Sequence, residues 1–176
     1  MDDRTRHLAE SLQQAGWDGV SPALMVLGSE QRLFCLDGTG IRGEWPVSTG
    51  RAGFGNQSGS GCTPTGLHQI SHRIGADEPV GRVFSSRVAT DEVAIISSET
   101  ADQITTRILW LDGLEPGINQ GGEVDSHQRY IYIHGTTDCQ RLGQPVSAGC
   151  VRMHPEHMVE LFDQTTEGML VLIVPA

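Results

Sequence analysis

Apolar positions along this 176-residue chain follow two rhythms. In residues 2–15, Leu8, Leu12 and Ala15 recur at helical spacing on an otherwise polar segment. That pattern predicts a short helix capped by Gly16, with Trp17 folded back on the body. From Pro22 the period shortens. Ala23-Leu24-Met25-Val26-Leu27 and Arg32-Leu33-Phe34-Cys35-Leu36 are apolar runs of strand length, split by Gly28-Ser29-Glu30 in a hairpin pattern. Further strands are predicted over 40–47, 67–73, 82–88, 107–111, 129–133 and 169–174. A helix is predicted over 155–164, opened by Pro155 in its first turn. A loop over 50–66, with Gly at 50, 53, 55, 59, 61 and 66, reads as a flap or solvent-exposed turn. Many short strands separated by turn signals predict a mainly β fold, a β-sandwich or barrel-like body with minor helices. Residues 1–20 read as a helical extension packed on that body, and 21–176 as one domain.

Charge narrows the function. Twelve basic residues, all arginine, face 22 acidic ones, a net charge of −10. Such a field repels a phosphate backbone, which argues against nucleic acid as a partner, and it disfavours an anionic membrane surface. No apolar run approaches the roughly 18 residues of a spanning helix, so no membrane insertion is expected. The polar start, Met1-Asp2-Asp3-Arg4-Thr5-Arg6-His7, lacks a signal-type apolar run. A cytoplasmic location is therefore expected, or a periplasmic one if a leader has been removed. The four cysteines (Cys35, Cys62, Cys139, Cys150) form no C-x-x-C pair, and a cytoplasmic chain would keep them reduced. Cys35 alternates with apolar neighbours and reads as core.

Chemistry concentrates near the C-terminal third. Tyr130-Ile131-Tyr132-Ile133 is an alternating strand that delivers His134 at its end, where Gly135 lets the chain turn. Fifteen residues separate His134 from Cys150, which follows Ser147-Ala148-Gly149. Those small residues permit a tight bend with successive N–H groups directed at one spot. Acyl transfer through a thiol needs this set: a thiolate favoured by a nearby imidazolium, and fixed donors for the oxyanion worth roughly 3–4 kcal/mol each. The imidazole needs a third group to fix its tautomer. No acidic residue is obviously placed for it, and the main-chain carbonyl of Gly135 is the simplest candidate.

His134-Gly135-Thr136 followed by Ser147-Ala148-Gly149-Cys150-Val151-Arg152-Met153 resembles the signature of the L,D-transpeptidase (YkuD-type) catalytic domain. Pro46-Val47-Ser48-Thr49-Gly50, Thr63-Pro64-Thr65-Gly66 and Ile108-Leu109-Trp110-Leu111 are similar to the strands and loop around that family's site. The resemblance implies a mostly β fold and a cysteine nucleophile acting on peptidoglycan stem peptides, with no cofactor. It implies Cys150 as nucleophile, His134 as base oriented by Gly135, and Ser147, Ala148 and Gly149 as the oxyanion turn. Arg152 is implied to steady that turn or a substrate carboxylate, and Tyr132 is a candidate substrate contact. The family usually carries His where this chain has Ala148, which bears on substrate fit beside the sulfur.

The expected reaction is cleavage of the diaminopimelate–D-alanine bond of murein tetrapeptides through a cysteine acyl-enzyme. In the cytoplasm the available stem peptides are recycled muropeptides, which points to an L,D-carboxypeptidase with water as acceptor. The alternative is a transpeptidase that forms cross-links or exchanges D-amino acids. Carbapenem-type β-lactams are expected to acylate Cys150. A remote alternative is a non-catalytic module holding zinc through His134, Cys139, Cys150 and His154. His68 and His72, at spacing four, are expected on one strand face. Gly61-Cys62-Thr63-Pro64-Thr65-Gly66 has P-loop spacing, but Leu67 and His68 replace the Lys and Ser/Thr that phosphates require.

Overall fold

Period-two alternation decides which side of each strand is buried. In the computed structural model, which describes residues 1–96 and 102–176, the strands are β1 (Ala23–Leu27), β2 (Arg32–Asp37), β3 (Gly40–Ser48), β4 (Gly66–Ile74), β5 (Arg82–Ser85), β6 (Val88–Val93), β7 (Thr105–Gly113), β8 (Tyr132–Gly135), β9 (Val151–Met153) and β10 (Leu170–Val174). They are accompanied by helices α1 (Asp3–Gln14) and α2 (Pro155–Asp163). The sheet runs β4-β10-β1-β2-β3-β9-β8-β7, and β7 pairs back onto β4, so eight strands close into a barrel. The β5–β6 hairpin hangs from β7. Neighbours β1 and β10, and β8 and β9, are parallel.

One set of alternating residues fills the interior: Leu24 and Val26, Leu33 and Cys35, Leu109 and Leu111, Val151 and Met153, Val171 and Ile173. Helix α2 adds Met158, Leu161 and Phe162 to this core. The opposite faces of β1, β2 and β10 carry Ala23, Met25, Phe34, Leu36 and Leu172, which Leu8, Leu12 and Trp17 cover. Each fully buried leucine of α1 stabilises this docking by about 1.5–3 kcal/mol. Asp2 starts α1 by accepting the Thr5 N–H at 2.8 Å.

Local differences from expectation have local causes. The run 82–88 is two strands, because Ser86 adopts left-handed backbone (φ 54°) and turns the chain without a Gly or Asn to signal it. Strand β8 starts at Tyr132, since Tyr130 is also left-handed (φ 56°), and His134 lies inside the strand. Strand β9 is only three residues long and hid within a segment that reads as a turn. The β4–β7 register shifts between Ile70 and His72, so His68 and His72 do not share a face. His68 is buried with Nε2 2.8 Å from Ser126 Oγ, while His72 is exposed against Trp110.

Candidate active site

The parallel pairing of β8 with β9 builds the site. Its register sets Ile133 opposite Val151 and His134 opposite Arg152. Ile133 and Val151 point into the barrel, so His134 and Arg152 share the outer face. Cys150, two residues before Arg152, falls on the same side and packs against the outer cluster of Phe84, Ile108 and Tyr132. The Tyr132 N–H lies 3.3 Å from Cys150 Sγ, and the thiol in turn faces Tyr130 O at 3.4 Å. Sulfur and imidazole thus stand diagonally across two adjacent strands, joined by strand pairing rather than by chain proximity.

His134 is 2% exposed, and its Nδ1 is 2.7 Å from Gly135 O. A carbonyl only accepts, so Nδ1 carries the proton and Nε2 keeps its lone pair. Gly135 is required there: a Cβ would sit 2.7 Å from Thr105 O on the paired strand. Burial lowers the His134 pKa, Asp102 opposes that shift, and Arg152 reinforces it. Burial also pushes the Cys150 thiol up to about 11, despite the Tyr132 amide and the charges of Arg152 and Arg129. Both shifts run toward the uncharged forms, thiol and neutral imidazole. Desolvation works against the expected imidazolium-stabilised thiolate, because it penalises both charges.

The turn before the nucleophile is tied at both ends. Ser147 Oγ donates to Cys150 O (2.6 Å) and accepts the Gly149 N–H (3.1 Å), so that amide serves the turn and is not aimed at the sulfur. The amide directed at Sγ is that of Tyr132. Gly149 has φ 131°, and a Cβ there would lie 3.1 Å from Cys62 O. Thr63 Oγ1 donates to Gly149 O at 2.8 Å, Arg51 N–H to Ser147 O at 2.8 Å, and Arg129 Nη2 to Cys62 O at 2.6 Å. The glycine-rich loop is thus a pinned wall behind the nucleophile instead of a free flap. Ala148 is exposed beside it.

Arg152, 8% exposed, pairs through Nε with Asp102 Oδ2 (3.1 Å) and through Nη1 with Asp138 Oδ2 (3.6 Å). Asp102 also accepts from Thr136 Oγ1, and Asp138 holds Arg141. The Tyr132 hydroxyl accepts from Arg87 Nη1 at 2.9 Å, and that guanidinium lies over Trp110 and Tyr130. Two grooves flank the sulfur. One, about 370 Å³, is lined by Ser86, Arg87, Ile104, Tyr130 and Tyr132. The other, about 480 Å³, is lined by Arg51, Ala52, Gly61, Val146, Ser147, Ala148 and Arg152. Thr63 lies in the loop that resembles the family's, whereas Arg51, Arg87, Asp102 and Arg129 carry no motif signal and reach the site from loops or turns.

No group of three or more His, Cys, Asp or Glu side chains among the described residues is arranged to hold a metal ion, so His134, Cys139, Cys150 and His154 are not assembled as a zinc site. Cys139 is half-buried at Thr136 O, with its thiol pushed up to about 11 by burial and Asp138. No helix among the described residues is long and apolar enough to cross a membrane.

A search of curated protein sequences finds no match. Solved structures are similar in fold. The L,D-transpeptidase from Xylanimonas cellulosilytica DSM 15894 superposes with a TM-score of 0.57 at 15% identity, over 94% of this chain and 68% of that one. L,D-transpeptidase 3 from Mycobacterium tuberculosis, in complex with a faropenem-derived adduct, gives 0.54 at 15% identity, over 87% and 60%. The LD transpeptidase LdtMt1 in complex with imipenem gives 0.54 at 16%, over 88% and 59%. The chain thus spans about three fifths of the length of the latter two. The model of the YkuD family, the L,D-transpeptidase catalytic domain, matches residues 21–173, a stretch that contains all of the barrel but its last residue, with Cys150 and His134 on the outer face. By that match the chain belongs to the YkuD family of L,D-transpeptidase catalytic domains.

Proposed function

We propose that this protein cleaves the diaminopimelate–D-alanine bond of murein tetrapeptides through a thioester on Cys150. The observation that carries the reading is the outward placement of Cys150, just before β9, and His134 on the paired strand β8, with His134 Nδ1 anchored to Gly135 O at 2.7 Å. That anchor leaves Nε2 as the base. As Sγ attacks the scissile carbonyl, its proton passes to Nε2 and an S–C bond forms. Collapse of the tetrahedral intermediate breaks the C–N bond, and the imidazolium returns the proton to the departing amine of D-alanine. The acceptor then enters: water, deprotonated by the same Nε2, attacks the thioester and releases tripeptide and free thiol. Burial that favours the uncharged pair suits this cycle, since an unprotonated Nε2 can take the thiol proton as attack begins.

Water as acceptor makes the protein an L,D-carboxypeptidase of recycled muropeptides, the outcome that follows if it works in the cytoplasm, where polymeric wall is absent. An amine acceptor would make it a transpeptidase. Incubation with a diaminopimelate-containing tetrapeptide, with and without an added D-amino acid, separates the two. Tripeptide alone is the expected product; an exchanged tetrapeptide would assign transfer instead, and no release of D-alanine would overturn the reading. The family, and the imipenem and faropenem-derived complexes of fold relatives, support acylation of Cys150 by carbapenem-type β-lactams.

A further inference from the structure

We propose that the groove between Arg51 and Arg152 is a carboxylate subsite that receives the α-carboxylate of the C-terminal residue released by the enzyme, making Arg51 a specificity-determining residue for substrates with a free C-terminus. The inference rests on the acyl-transfer reading above. Charge bookkeeping around the site singles out Arg51. Arg152 and Arg141 are matched by Asp102 and Asp138, two charges against two. The other arginines each have an ion pair or a hydrogen bond through the guanidinium, whereas the Arg51 guanidinium has neither among the described residues. In a chain of net charge −10, one unpaired cation stands at the lip of a groove beside the nucleophile turn.

Its place is fixed by the backbone, since Arg51 N–H donates to Ser147 O at 2.8 Å and Gly50 bridges Ser147. The groove also holds Arg152, nine-tenths buried, whose Nη1 makes only a long ion pair with Asp138 Oδ2 (3.6 Å) and no hydrogen bond among the described residues. Such a donor is costly unless something accepts from it. The sheet order β3-β9-β8-β7-β5 puts this groove and the one under Arg87 on opposite flanks of the Cys150–His134 line. Arg152 is the register partner of His134, so the groove that Arg152 lines adjoins the strand carrying the base that protonates the leaving amine. The α-carboxylate of a released amino acid is one carbon from that amine. It therefore falls within reach of both guanidiniums, while the acyl portion occupies the flank of Tyr132 and Arg87.

The test compares kcat/KM for a tetrapeptide ending in D-alanine with that for the same peptide ending in D-alanine carboxamide, in the wild type, Arg51→Gln and Arg51→Lys. The Arg51 side chain is exposed and unpartnered, so neither substitution removes a folding contact. The wild type should prefer the free acid by about tenfold or more, the scale of one charge-assisted hydrogen bond. Arg51→Gln should lose most of that preference, chiefly through KM, and Arg51→Lys should keep the larger part of it. Equal wild-type turnover of acid and amide, or an unchanged ratio in Arg51→Gln, would overturn the subsite while leaving the acyl-transfer reading intact. Absence of D-alanine release from the free acid by the wild type would instead overturn that reading, and the subsite with it.

Discussion

Gly135→Ala places a methyl carbon 2.7 Å from Thr105 O, 3.0 Å from Thr105 Oγ1 and 3.1 Å from Thr106 Cβ. The nearest of these atoms is backbone, and both threonines are fully buried. Ordinary contact therefore requires β7 and β8 to separate by several tenths of an ångström. Overpacking of this kind costs about 1–3 kcal/mol. In a chain of this size each kcal/mol lowers Tm by about 2–4 °C, so the variant should melt roughly 2–12 °C below the wild type. The same displacement moves the carbonyl that holds His134 Nδ1, and misplacement of a catalytic group by about 1 Å costs on the order of 10²-fold. Calorimetry paired with kcat/KM for tetrapeptide hydrolysis measures both effects on one preparation. Wild-type Tm together with wild-type turnover would refute the argument that Gly135 sets the strand spacing and the imidazole anchor.

Asp102→Asn removes the carboxylate that raises both the His134 and the Cys150 pKa, leaving Arg152 with Asp138 alone. The acid limb of kcat/KM should move to lower pH, and alkylation of Cys150 by iodoacetamide should gain rate at neutral pH; unchanged profiles would count against this coupling. His68 is buried with its pKa lowered to about 4, chiefly by desolvation. Unfolded histidine takes a proton below about 6.5 while the folded one stays neutral, so this group's stabilisation is complete above 6.5 and falls as pH drops towards 4. The loss is up to about 3 kcal/mol. Urea unfolding at pH 7 and pH 4.5 should show a smaller difference in His68→Gln than in the wild type, and equal differences would show that His68 does not set the slope.

Strands whose two faces both carry apolar residues were readable because length and turn residues bounded them: β1 and β2 emerge from Ala23–Leu27 and Arg32–Asp37 with no reference to partners. The hairpin at Ser86 was not readable, since nothing in Ser86-Arg87 signals a positive φ. Nor was the shift between Ile70 and His72, which depends on how β4 meets β7 when the barrel closes. The same division runs through the site. His134, Gly135, Ser147, Gly149 and Cys150 lie in two short segments whose residue types already imply thiol chemistry. Asp102, Arg51 and Arg87 come from loops and a turn elsewhere in the chain, and only closure of the sheet brings them to the sulfur. The desolvation of the nucleophile was equally hidden: sequence offers an imidazole, but only the fold shows that burial pushes both it and the thiol toward their uncharged forms.

Covalent capture of the intermediate addresses the nucleophile most directly. Wild-type protein mixed with tetrapeptide and acid-quenched within milliseconds should show, by intact mass and peptide mapping, the tripeptidyl acyl group on Cys150, and Cys150→Ala should show neither adduct nor released D-alanine. Release of D-alanine by Cys150→Ala, or an acyl group mapped to Cys62 or Cys139, would contradict the account.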